Sequence, residues 1–339
     1  MQFNAFNYLS PAIEDMKRLL FPYSTKRWMK LGLISLLAGG AKGGLNMPNI
    51  NLGSSGGGGN TDSVNKAFDK VTGNAVQGAR ESFGMWALII VPILLAVIIF
   101  ALIIQYINSV FSFILLEALD TKKIGIKKGW HNSKGLGFSY FLFRIVVSLI
   151  VIAAIAVAAL PIILPIIAQG PAAYFENFNW WSLAWLLPMI ALLLIFLLIV
   201  SIFMSLVYNF STVHMYFHRM PAWKSVRATF ARIKHAKLAV LVFLAAMLVI
   251  SIIEAAAAIL SFLLMLLPFL ILAIPFVLLF WAIVASSGWG VAVIIGMIAV
   301  AIMYFLFFIY VFTVLFLPVT VSVRYFSIHN YRALMDSAA

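Results

Sequence analysis

Five uninterrupted apolar runs constrain this chain more than any other feature. Each is longer than the roughly 20 residues that a helix needs to cross a hydrocarbon core about 30 Å thick. They are continuous in Ala, Leu and Ile, without the alternating polar positions of a membrane β-barrel. With 64% hydrophobic and 10% charged residues, the chain lacks the polar surface of a water-soluble domain, so we predict an all-α polytopic transmembrane helical bundle. The runs are Met85–Leu116, Phe138–Ala168, Trp181–Tyr208, Leu238–Leu267 and Val291–Val319.

Two further apolar segments are ambiguous. Trp28–Gly40 is short for a span and fits a thin or re-entrant helix. Phe269–Ala285 follows Pro268 and contains Pro275. Because proline removes a helical hydrogen bond, this segment is either a seventh helix or half of a broken hairpin. The chain must return to the same side between its basic segments, so we expect about six crossings, with seven as the alternative.

The basic residues are grouped, and the groups alternate with stretches that are poor in Lys and Arg. They lie before Leu31, between Glu117 and Lys134, between Ser211 and Lys237, and at Arg324 and Arg332. The positive-inside rule places these segments and both termini in the cytoplasm, with the protein in the cell membrane. This arrangement accounts for the net charge of +13, and we therefore expect no nucleic-acid partner.

Amphipathic segments precede the outgoing spans. Pro11–Phe21 places Ile13, Met16 and Leu20 on one face, and Pro221–Ile233 has a similar apolar stripe. Ile124–Trp130 is a weaker version that glycines interrupt. These patterns predict interfacial elbow helices at the start of each of three internal repeats.

The predicted organisation is a single membrane domain over 1–339. Its pseudo-repeats are 8–116, 117–210 and 211–319, with a flexible Gly-rich loop at 41–60 and a cytoplasmic tail at 320–339. After the loop, apolar residues at helical spacing predict that Thr61–Phe83 extends the helix that enters at Met85. Such repeats are common in transporters, although a repeat alone does not establish transport.

The first 45 residues also carry a family resemblance. The segment SPAIEDMKRLLFPYSTKRWMKLGLISLLAGGAKGG, followed by a Gly/Asn-rich loop, resembles uncharacterised archaeal multi-pass membrane proteins. These are distantly similar to the membrane domain of glycerophosphoryl diester phosphodiesterases. The resemblance implies a fold and an archaeal source rather than an activity, because the catalytic domain of those enzymes has no counterpart here.

Glu254 is the sharpest candidate for an intramembrane site. It lies in the apolar segment VISIIEAAAAIL, about 24 Å along the helix if the span begins near Leu238. An acid within a membrane segment is a functional-site hypothesis, here a transporter or channel that uses Glu254. The alternative is a protonated carboxyl that bonds a backbone carbonyl or lies near the outer interface. Arg144 lies nearer the cytoplasmic end of its span, and we interpret it as a snorkelling side chain.

The chain lacks the residue sets of common enzymes. It has no Cys, no GxSxG elbow and no paired catalytic carboxylates. His214 and His218 stand at a spacing that can bind a metal, but we interpret them as interfacial histidines of a basic segment. We therefore expect a non-enzymatic protein without cofactor, catalytic residues or metal.

The basic segments are the best-supported functional feature. Lys and Arg beside Trp and Phe at the cytoplasmic leaflet attract anionic lipid headgroups. We predict a lipid-interacting scaffold or assembly component in a homo-oligomer or a larger membrane protein complex. We expect its partners to be membrane lipids that are anionic. The predicted headgroup contacts are Lys17, Arg18, Lys127, Lys128, Lys224, Arg227 and Arg232.

Overall fold

The computed structural model of this chain describes residues 5–39, 61–169, 180–287 and 291–336. These residues are almost entirely helical, and no β-strand occurs among them. A short 3₁₀ turn, Ala5–Tyr8, leads into the first helix, and a π-helical segment, Val207–Ser211, joins α5 to α6. The helices are α1 Leu9–Leu20, α2 Thr25–Leu37, α3 Thr61–Thr121, α4 Ile126–Gln169, α5 Trp180–Leu206, α6 Thr212–His218, α7 Ala222–His235, α8 Lys237–Ser287 and α9 Val291–Asp336.

Five of the described helical stretches are long and apolar enough to cross a membrane. Their most apolar windows have mean hydropathies between 2.5 and 3.2. The predicted all-α transmembrane fold is confirmed. The five stretches are Val91–Thr121, Ile126–Pro161, Leu187–His218, Lys237–Ser286 and Ile295–Leu334.

The two ambiguous segments differ from the expected pattern of crossings. Trp28–Gly40 falls largely in α2, whose 13 residues extend only about 20 Å, too short for a 30 Å hydrocarbon core. Phe269–Ala285 is neither a separate helix nor half of a hairpin, because α8 continues through Pro268 and Pro275 to Ser287. Neighbouring groups help such prolines to be tolerated within apolar helices.

The chain forms two compact units. The smaller one, Met47–Tyr106, is described from Thr61 onward, where α3 begins. The larger one contains Met1–Asn46 and Ile107–Ala339. The predicted helical extension over Thr61–Phe83 is confirmed, whereas the Gly-rich loop at 41–60 lies outside the described residues.

Buried side chains in the larger unit concentrate toward one end of its helices. We call this region the packed end: residues 5–34, 107–143, 204–229, 240–250 and 313–334. We call the remaining stretches the apolar segments: 146–167, 187–200, 252–283 and 295–309. Most large apolar side chains in the apolar segments are exposed, with exceptions such as Met265 and Phe269.

Helix α9 is the centre of the packed end. It contacts α1, α2, α6, α8 and the π-helical segment. The Phe243 ring lies 4.4 Å from that of Phe210 and 5.9 Å from that of Phe326, which joins α8, the π-helical segment and α9. Helices α3 and α4 approach so closely at Gly137 that a Cβ there would lie 2.7 Å from the Cα of Val110.

The amphipathic segments become three different structures. α1 and α7 are separate helices, close to the predicted bounds. The weaker segment Ile124–Trp130 is instead continuous with the long helix α4, which begins at Ile126. The predicted tail at 320–339 is, up to Asp336, the end of α9, and Val321–Ile328 is almost entirely buried. The three-unit repeat stays a prediction.

Candidate functional site

The seven predicted headgroup contacts are all exposed side chains on the packed end or beside it. Lys17 and Arg18 lie in the last turn of α1. Lys127 and Lys128 occupy the start of α4, and Lys224, Arg227 and Arg232 lie within α7. Arg18 also pairs with Glu14 at 3.8 Å, an exposed ion pair of little energetic weight. The structure therefore presents these cations on its surface rather than in its core.

Acidic side chains bring the ends of several helices together. Asp15 of α1 lies 3.0 Å from Nε2 of His329 and 3.5 Å from Nζ of Lys122. Asp120 at the end of α3 receives the Arg332 guanidinium at 2.8 Å. The N-terminal helix, the end of α3 and the end of α9 therefore lie at the same end of the larger unit. The sequence placed these segments on one side of the membrane, and the cytoplasmic identity of that side stays a prediction.

Exposed aromatic side chains accompany the basic ones. Trp223 of α7 is 59% exposed between Ala222 and Lys224. Between α1 and α2, Phe21 and Tyr23 are exposed and their rings contact Trp28. Amphipathic aromatic rings beside cations are typical of a membrane–water interface.

Glu254 lies where the packed end meets the apolar segment of α8. The residue is only 5% exposed, and its Oε1 has no hydrogen-bond partner among the described residues. It lines an apolar cavity of about 290 Å³ together with Ile13 and Met16 of α1. The distance along α8 counted from Leu238 suggested a deep position. The structure instead places Glu254 beside the amphipathic helix α1, whose opposite face is charged. The first turns of α8 belong to the packed end, and they bring Glu254 to this position.

Arg324 is the largest departure from the sequence interpretation. The charge pattern grouped it with the tail, but it is 2% exposed inside the packed end. Its guanidinium donates to the carbonyl of Tyr208 at 2.8 Å and to Oγ1 of Thr212 at 3.1 Å. Its central carbon lies 4.0 Å from the centroid of the Tyr208 ring. No local pattern in the sequence distinguishes Arg324 from the exposed basic residues, because its burial depends on its contacts with Tyr208 and Thr212.

The π-helical segment explains why Arg324 is held there. In a π-helix the backbone carbonyls shift from their usual partners, and such segments often occur at functional sites. The Tyr208 carbonyl receives Arg324, and that of Ser211 receives Oγ of Ser225 at 2.8 Å. The Asn209 side chain bonds Ser327 at 2.7 Å. These bonds fix α5, α7 and α9 to one another and make this region a structural centre.

The two histidines differ in their surroundings. His214 is buried, hydrogen-bonded to the Tyr331 hydroxyl at 2.6 Å and stacked on His218 at 4.1 Å. His214 is covered by α9, which continues past Arg324, and the interfacial position of the two histidines stays a prediction. Within the described ranges, no group of three or more His, Asp or Glu residues could hold a metal ion.

Arg144, interpreted as a snorkelling side chain, is half-buried at the edge of the packed end. Its guanidinium carbon lies 5.9 Å from the centroid of the Tyr140 ring. The Tyr140 ring is fully buried against Phe113. Arg144 therefore packs on the core of the protein through this ring.

Comparison with known proteins gives one match. The sequence profile of a family of unknown function, DUF7544, matches residues 3–336. No curated protein and no solved structure matches the chain. The archaeal source and the resemblance to phosphodiesterase membrane domains stay predictions.

Proposed function

We propose that this chain, which belongs to DUF7544, a family of unknown function, is a non-enzymatic membrane scaffold that binds anionic lipid headgroups. One observation carries the proposal: exposed cations and exposed aromatic rings lie on the packed end or beside it, and most large apolar side chains of the apolar segments are exposed. A protein of this form anchors a folded, charged region against a membrane surface.

The charges support the lipid part of this proposal. Each Lys or Arg close to an anionic membrane surface contributes about 1 kcal/mol of attraction. The seven headgroup candidates come from α1, α4 and α7, so several helices would contact lipid at once. Exposed Trp223 adds an interfacial anchor beside Lys224. In this proposal the basic side faces the cytoplasm, where anionic lipids and the positive-inside rule both place it.

The apolar segments support the assembly part. Val157 and Leu192 are each more than 60% exposed, and an apolar cavity of about 610 Å³ lies between α4 and α5. A second cavity, of about 460 Å³, lies between α8 and α9. Acyl chains or helices of another copy would fill such spaces in a bilayer. We therefore propose a homo-oligomer or a larger membrane complex as the working form.

The lipid proposal is tested by native mass spectrometry of the full chain released from nanodiscs. The discs contain either an anionic phospholipid mixture or a purely zwitterionic one. The test variant combines Lys127→Ala, Lys128→Ala, Lys224→Ala and Arg227→Ala. The matched control replaces the same lysines by Arg and Arg227 by Lys, which preserves the charge.

We expect the wild type and the control to retain anionic lipid. The test variant should retain about tenfold less anionic lipid, since each removed charge weakens the attraction by about 1 kcal/mol. Equal retention by all three proteins would overturn the lipid proposal. A single lipid-free monomer in every preparation would overturn the scaffold as a whole.

The transporter alternative rests on a different observation, the buried Oε1 of Glu254 that lacks a partner among the described residues. It predicts solute flux into proteoliposomes that Glu254→Gln abolishes. A scaffold predicts no such flux, and the quadruple charge variant would then change lipid retention alone. The two readouts separate the alternatives in the same set of purified proteins.

A further inference from the structure

We infer that the apolar cavity under α1 binds an amphiphile with a single alkyl chain and a headgroup that donates a hydrogen bond. The carboxyl oxygen of Glu254 accepts that hydrogen bond. This site is separate from the basic surface and does not depend on the scaffold proposal. Its ligand is recognised by one acceptor in an apolar chamber rather than by positive charge.

The cavity has the size and the lining of a small hydrophobic binding site. Its volume of about 290 Å³ is near the lower end of the roughly 300–1,000 Å³ that small-molecule pockets occupy. That size suits a single chain better than a two-chain lipid. Three elements line it: α1, α8 and α9. The lining side chains besides Glu254 are Leu9, Ile13, Met16, Ile250, Ile253, Pro318, Val319, Ser322, Val323 and Phe326.

The carboxyl group in this chamber needs a donor that the described protein does not supply. Oε1 of Glu254 is buried without a partner among the described residues, and leaving such a group unsatisfied is costly. The nearby hydroxyls are already used. Oγ of Ser322 donates to the Pro318 carbonyl at 2.8 Å, and Oγ of Ser251 donates to that of Met247 at 2.7 Å.

The surroundings narrow the chemistry of the missing donor. A buried water normally has two to four polar partners, whereas almost the entire lining here is apolar. A headgroup that carries a carboxylate or phosphate would meet a second acceptor. An ammonium or a hydroxyl group would donate a hydrogen bond to Glu254, and an attached alkyl chain would fill the apolar part of the cavity.

An ion pair between α1 and α9 holds the α1 wall of the cavity. Ile13 and Met16 face the cavity, while Asp15 on the other side of the helix is tied to His329 at 3.0 Å. In this proposal α1 lies at the level of headgroups rather than within the hydrocarbon, because its outer face is charged. Glu254 beside it is therefore at the depth where an amphiphile carries its polar end.

The test is photo-crosslinking of the full chain in nanodiscs. Three diazirine probes share a hexadecyl chain and end in a primary amine, a hydroxyl or a carboxylate, and a fourth probe is the plain alkane. The variants are Glu254→Gln, Glu254→Leu and the cavity-filling Ile13→Trp. The control is Ile252→Ala, two positions away on α8, where the side chain is 63% exposed and does not line the cavity. Thermal unfolding identifies any variant that fails to fold.

We expect the amine probe, the alcohol probe or both to label the peptides around Ile253 and Val323, with at least tenfold less labelling by the carboxylate and alkane probes. Glu254→Leu and Ile13→Trp should each reduce the specific labelling about tenfold, and Ile252→Ala should leave it unchanged. Glu254→Gln separates the headgroups, since it weakens ammonium binding and keeps hydroxyl binding. Equal labelling by all four probes, or labelling that neither Glu254→Leu nor Ile13→Trp reduces, would overturn the proposal. Neither outcome bears on lipid retention by the basic surface.

Discussion

Large hydrophobic side chains occur in both the packed end and the apolar segments, yet the two regions use them in opposite ways. Phe243 in the packed end is fully buried, whereas Phe305 in an apolar segment is 61% exposed. In water the hydrophobic effect would bury both. In a bilayer, lipid chains are as apolar as the side chains, so hydrophobicity no longer drives one helix against another.

Polar side chains and small residues make the difference. The packed end contains buried hydrogen bonds such as Ser225 to the Ser211 carbonyl and Tyr325 to that of Leu119. It also contains Gly137, which allows α3 and α4 to approach. Hydrogen bonds and close backbone contact, rather than apolar content, therefore decide which part of this protein has a fixed core.

The largest expected effect tests whether the packed end carries the stability. Phe243→Ala should lower the free energy of unfolding by about 3–5 kcal/mol, because it removes a buried ring between Phe210 and Phe326. Phe305→Ala, the same substitution in an apolar segment, should change it much less. The measurement is denaturant unfolding in a defined micelle, followed by tryptophan fluorescence. Equal losses in the two variants would break the distinction between the regions.

A second prediction concerns the polar part of the packed end. Arg324→Lys should lower the free energy of unfolding by about 2 kcal/mol, because a lysine keeps the buried charge but cannot donate to both Tyr208 and Thr212 in a planar fork. The exposed Arg27→Lys is the matched control and should be neutral. If the two variants unfolded alike, the bonds to the π-helical segment would not be a structural centre.

A third prediction, of similar size to the second, concerns close packing. Gly137→Ala should cost about 1–3 kcal/mol, since the added methyl group meets the backbone of Val110 and the helices must separate. Gly135→Ala on the same helix has nothing within 4 Å of the new Cβ and should be neutral or slightly stabilising. Thermal unfolding of the pair gives the comparison. A neutral Gly137→Ala would show that the α3–α4 contact is not tight.

Much of the fold could be predicted from local patterns. Long apolar runs predicted the membrane helices, and amphipathic periodicity predicted α1 and α7. The helix boundaries that depend on contacts with neighbouring helices could not be predicted. α8 passes through Pro268 and Pro275 as one helix, and only packing against α9 distinguishes that from a broken hairpin.

The candidate site was predictable in its parts but not in its arrangement. Glu254 is conspicuous in sequence because it is an acid among apolar residues. Nothing in its neighbourhood shows that Ile13 and Met16, more than two hundred positions away, form the wall opposite it. The charge pattern groups Arg324 with the cytoplasmic basic segments, since a basic residue is most often solvated.

Residue order alone sets the class of this protein, because the length of the apolar runs and the placement of charge can be read without any tertiary contact. It also determined which cations stand on amphipathic surfaces. Packing in three dimensions selects the apolar side chains that form a core. It also buries Arg324 against the π-helical segment and brings Glu254 beside α1. These outcomes depend on contacts between residues far apart in the chain, and such contacts are selected by shape and hydrogen bonding rather than by hydropathy.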